Sequence, residues 1–87
     1  MNENQAKNNY LQQVCNDLQM AKNIDVQDLS VIGSLVIEGM PPKTFCVGMC
    51  DKAFIGIASQ INLLSKYAGI STNETIKQIK EILNWRN

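Results

Sequence analysis

The segment Leu29-Ser30-Val31-Ile32-Gly33-Ser34-Leu35-Val36-Ile37-Glu38-Gly39-Met40-Pro41-Pro42 admits two conformations, and they lead to different folds. As a helix it takes Asp25 or Asp28 as N-cap and runs to Glu38, with Leu29, Ile32, Gly33, Val36 and Met40 facing inward. Gly39 then supplies a left-handed stop, and Pro41 and Pro42 block continuation. As a hairpin, the β-branched Val31, Ile32, Val36 and Ile37 flank Gly33-Ser34, a pair that suits a type II′ turn between strands 29–32 and 35–38. The helix is preferred here, because an isolated two-stranded ribbon is marginal and no third strand is evident.

The neighbouring segments read as helical. Upstream, Leu11, Val14, Cys15, Leu18 and Ala21 recur at three- and four-residue steps from Tyr10, opposite Gln12, Gln13, Asn16, Asp17 and Gln19. That helix is expected to fade near Asn23. Residues 1–9 lack apolar periodicity and read as a flexible N-terminal tail. Downstream, Thr44 is taken to cap a long helix ending at Gly69, with Phe45, Cys46, Met49, Cys50, Ala53, Phe54, Ile57, Ile61, Leu64 and Ala68 apolar. Val47, Ile55 and Leu63 fall towards its polar side and so call for a partner. Gly48 and Gly56 each cost about 1 kcal/mol relative to alanine inside a helix and mark a bend or a close approach. Ser71-Thr72-Asn73-Glu74 reads as a capping box before Ile76, Ile79, Ile82 and Leu83, with Lys77 and Glu81 spaced as a surface pair.

These readings add up to an all-α fold: a small bundle of three to four helices around a long apolar central helix, forming a single helical domain over residues 10–87. The alternative is α+β, with a short hairpin at residues 29–38.

Eighty-seven residues suffice for one domain, and 45% hydrophobic content is too high for a disordered chain. The formal net charge is zero. It divides into about −3 over residues 1–42 and +3 over residues 43–87, a pattern compatible with head-to-tail pairing and also with ordinary solvated faces. Nucleic acid is not the expected partner, since phosphate binding usually brings a basic excess. The three cysteines, the polar start without a signal-peptide pattern and the lack of an 18-residue apolar run lead to an expectation of free thiols, a cytoplasmic location and no membrane partner.

Candidate chemistry is sparse. Cys46 and Cys50, four apart on the expected helix, have only Cys15 and carboxylates to call on as further zinc ligands and read as small buried hydrophobes. Lys43 and Thr44, following Pro41-Pro42 at the expected helix start, form with these cysteines a weak anion or metal/thiol candidate. No histidine, phosphate loop or nucleophile elbow is present, so the chain is read as a non-enzyme with no cofactor. A small DNA-binding regulator would use Lys77, Lys80 and Arg86 on phosphate, with Asn73, Asn84 and Asn87 for polar contacts, but Glu74 and Glu81 intervene. Trp85 reads first as a final plug of the core and second as an anchor for a partner.

The function expected from the sequence is therefore a non-enzymatic protein–protein interaction or regulatory module, self-associating as a homodimer and binding another protein. Val47, Ile55, Leu63 and Trp85 are the candidate interface residues. The central helix is the expected seam, because so small a chain covers it poorly.

Overall fold

A computed structural model describes residues 2–48 and 50–86, with side chains through Trp85. Met49, which the sequence assigns to the central helix, and Asn87, a candidate polar contact, lie outside the described residues, as does the Arg86 side chain. In chain order the elements are α1 (Glu3–Ala21), a 3-10 turn (Val26–Asp28), β1 (Ser30–Leu35), β2 (Lys43–Gly48), α2 (Ala53–Ala68) and α3 (Thr72–Arg86).

The fold is α+β, so the expectation of an all-α bundle is wrong, and the long central helix from Thr44 does not form. β1 and β2 pair antiparallel, with Ser30 opposite Gly48 and Leu35 opposite Lys43. The hairpin alternative placed a ribbon in roughly the right region but in the wrong frame. Gly33-Ser34 lies within β1 rather than at a turn, and residues 36–42 make the connection. In that connection Met40 N–H donates to the Ile37 carbonyl, which closes a turn around Gly39.

The physical reasons are partly local and partly tertiary. Val31 and Ile32, and Thr44, Phe45 and Val47 across from them, are β-branched or aromatic residues that suit a pleated surface. The ribbon also does not stand alone, because α2 packs against β1 and supplies the support that a two-stranded sheet needs. Gly48 closes β2 and turns the chain towards α2. Its φ is +97°, and a Cβ there would strike the Leu29 carbonyl oxygen. Helix resumes only at Ala53 and stops where expected, at Gly69 in the left-handed conformation.

α1 starts at Glu3, within the segment read as a tail. Its start is a full capping box: Asn2 Oδ1 accepts from Gln5 N–H at 2.8 Å, and Gln5 Oε1 accepts from Asn2 N–H at 3.3 Å. α3 is capped by Ser71, whose Oγ accepts from Glu74 N–H at 3.1 Å. The Glu74 carboxylate faces Gln78 instead of reaching back, so half of the expected box is present.

Packing is thin. α2 meets β1 and α3, and the 3-10 turn meets β2, while α1 makes no extended contact with any other element among the described residues. No described hydrophobic residue is buried; the buried residues are Ser65 and Thr75, each 3% exposed. The radius of gyration is 15.1 Å, against about 12 Å for a compact domain of this length. The accessible surface is 7861 Å², whereas a folded monomer of this mass exposes about 5,100 Å².

Candidate functional site

Among the described residues, apolar side chains stand uncovered in several places. The first is the α1 stripe, in which Tyr10, Leu11 and Leu18 are exposed. Across from its N-terminal half stands α2, and between them runs an open groove of about 750 Å³ whose apolar lining is Ala6, Tyr10, Leu63, Leu64 and Tyr67. Tyr67 is 93% exposed, so no described residue covers this side of α2.

The second is one face of the ribbon. Residues directly opposite each other share a face, so Val31, Gly33 and Leu35 of β1 lie with Val47, Phe45 and Lys43 of β2. The Phe45 ring lies across Gly33, where a Cβ would come within 2.7 Å of Cζ. Leu35, Phe45 and Val47 remain exposed. On the other face Ser34 and Thr44 hydroxyls hydrogen-bond at 3.3 Å. There Ser30 and Ile32 border α2 across a hollow of about 160 Å³, also lined by Cys50, Lys52 and Gln60. That hollow is smaller than the roughly 300 Å³ at which small-molecule sites begin. Further exposed apolar side chains are Phe54 and Ile55 on α2 and Ile82, Leu83 and Trp85 on α3.

Polar groups fix how the elements meet. Ser65 Oγ donates to the Ile61 carbonyl at 2.7 Å and lies 2.5 Å from Thr75 Oγ1, which itself reaches the Ser71 carbonyl at 3.2 Å. Two small hydroxyl residues thus let α2 and α3 approach closely with every buried side-chain polar atom among the described residues satisfied. Gln60 Nε2 donates to the Ile32 carbonyl at 3.0 Å and ties α2 to β1. Ser30 Oγ accepts from Cys50 N–H at 3.1 Å and fastens the loop after β2.

The sequence-derived candidates fall on separate elements. Val47 is on β2, Ile55 and Leu63 are on α2 and Trp85 is on α3. All four are exposed, and Trp85, at 86%, does not plug a core. Lys43, Thr44 and Cys46 are strand residues, so Thr44 caps no helix and the expected anion site loses the helix N-terminus on which it rested. Cys46 and Cys50 do not share a helix face either; Cys46 is exposed on β2 and Cys50 half-buried in the following loop. Cys15 is exposed on α1. Among the described residues no group of three or more cysteines and carboxylates is placed to hold a metal.

Sequence reasoning missed Ser65, Thr75, Gln60 and Ser30 as positioning residues. The signal for the first pair was a small hydroxyl residue on each of two consecutive helices. No helix among the described residues is long and apolar enough to cross a membrane. No protein-family profile, curated protein or solved structure matches the chain.

Proposed function

We propose that the chain is a non-enzymatic protein–protein interaction module that pairs with a second copy of itself and, as a dimer, binds another protein. One observation carries the self-association: no described apolar side chain is buried, although the helices are formed and two of them are capped by side chains. The single chain exposes about 2,700 Å² more than a compact monomer of its mass. A standard interface covers about 800 Å² per partner, and an obligate one about 1,000–2,500 Å². The surplus therefore has the scale of an obligate seam rather than a passing encounter.

The arrangement also favours binding over catalysis. The wide groove between α1 and α2 is lined mainly by apolar and aromatic side chains, and such surfaces mark association sites. The direct test is the solution mass by light scattering after size exclusion, across a dilution series with and without reductant. A mass near twice 9.7 kDa, unaffected by reductant, is expected. A folded monomer that persists at micromolar concentration overturns the reading.

A further inference from the structure

We infer that the two copies join edge to edge through β2, forming a continuous four-stranded antiparallel sheet in the order β1-β2-β2-β1 across a two-fold axis. The inference rests on the proposed self-association and adds its geometry.

The two sides of the ribbon differ. β1 is half-buried from Ser30 to Gly33, and α2 lies along it with Gln60 bound to the Ile32 carbonyl. β2 is exposed at every residue from Lys43 to Val47. Its backbone makes no hydrogen bond outside the ladder with β1 among the described residues. An edge strand thus presents alternate N–H and C=O groups outward, and these specify another strand as their partner.

The 3-10 turn meets β2 but leaves Lys43 to Val47 exposed, and the other protective features are missing from this edge. Proteins blunt free edges with inward charges, proline, bulges or an overlying element. β2 has one charge, Lys43 at its first residue, no proline within it and an uninterrupted register with β1. Its sequence, Thr44-Phe45-Cys46-Val47, is β-branched and aromatic apart from the cysteine.

A second copy fits as the occupant for two reasons. The surplus of about 2,700 Å², which is spread over the whole chain, leaves room for an interface of obligate size around the paired edges, and a two-fold axis lets one antiparallel edge satisfy its own duplicate. Pairing in a register that sets odd-numbered residues opposite odd-numbered ones also keeps like faces together. Val31, Leu35, Phe45 and Val47 of both copies then form one apolar face. The α1–α2 groove offers area without direction, whereas a strand edge dictates what binds and in which orientation.

The test is residue-resolved amide hydrogen exchange on the full chain at a concentration where light scattering reads a dimer. In a lone ribbon only alternate β2 amides donate to β1, so protection alternates along the strand. The inference predicts continuous protection from Thr44 to Val47, with the outward amides slowed at least about 100-fold relative to a lone ribbon. As a second readout, a chain carrying Cys15→Ala and Cys50→Ala keeps Cys46 as its single thiol. With either Phe45 or Cys46 at the two-fold, the two Cys46 residues lie roughly 5–8 Å apart, and a short bismaleimide joins them. Alternating protection in a protein that is dimeric by mass, or a dimer that never crosslinks through Cys46, overturns the edge pairing and leaves self-association standing. A monomer by mass overturns both.

Discussion

At Gly48 the backbone takes a φ of +97° and passes close to the Leu29 carbonyl, so any side chain meets both torsional strain and a collision. The left-handed conformation alone costs an L-residue about 1–2 kcal/mol. Gly48→Ala is therefore expected to lower unfolding stability by at least that amount, read as a drop in the urea midpoint, and an unchanged midpoint would mean that Gly48 is not a constrained corner. Ser65 and Thr75 make a second residue-scale claim. Ser65→Ala and Thr75→Ala are each expected to cost about 1 kcal/mol, and the double variant less than the two together, because one shared hydrogen bond is counted twice. Strict additivity would show that the hydroxyls do not interact. Of these residues, the sequence exposed Gly48 as a bend or close approach but not as the end of a strand. Glycine says that the backbone does something unusual and leaves open what it does. The Ser65–Thr75 contact was hidden because it depends on how two helices cross, which no periodicity within either helix encodes.

The elements show the same division between local and distant causes. α3 and the end of α2 were legible, since a Ser-x-x-Glu start and a glycine stop act within a few residues. α1 was legible in its apolar half only; Asn2 and Gln5 form a capping box in which asparagine takes the serine or threonine position, and the polar first two turns obscured it. The ribbon was legible only as the alternative, and in the wrong frame, because its strand pair, Ser30–Leu35 with Lys43–Gly48, is stabilised by α2, an element further along the chain. α1 is 19 residues long, capped, and without extended contacts to another element among the described residues. Its sequence holds four asparagines and an aspartate, which favour a helix weakly, and most helical stability in proteins comes from packing an apolar face. A peptide of residues 1–22 is thus expected to be largely unstructured by circular dichroism, while the α1 amides of the full chain are protected from exchange. A peptide as helical alone as within the protein would remove the need for a partner surface along Tyr10, Leu11 and Leu18.

For the whole molecule, the governing quantities are an accessible surface of 7861 Å² and a radius of gyration of 15.1 Å with no described apolar residue buried. The sequence anticipated surplus apolar surface through Val47, Ile55 and Leu63, although it did so by placing them on one helix that does not form. Their exposure survives the change of fold because each lies on a strand or helix face that the single chain leaves open. The weak anion and thiol candidate at Lys43, Thr44, Cys46 and Cys50 was more fragile, since its chemistry rested on a specific helix start. The β2 edge carries one charge. Its pairing is therefore expected to depend weakly on ionic strength, with the dimer dissociation constant changing less than about tenfold between low and high salt; a steep loss with salt would point to pairing of the acidic and basic halves instead.

If the apolar surface is covered by a second copy, folding and association are a single equilibrium, and stability must depend on protein concentration. The decisive measurement is the thermal unfolding midpoint over a hundredfold range of concentration, with reductant present throughout. The account predicts that the midpoint rises steadily with concentration and that the folded signal disappears on dilution together with the dimer. A cooperative transition at one fixed temperature across the whole range would show that the single chain is stable on its own, and would contradict the account.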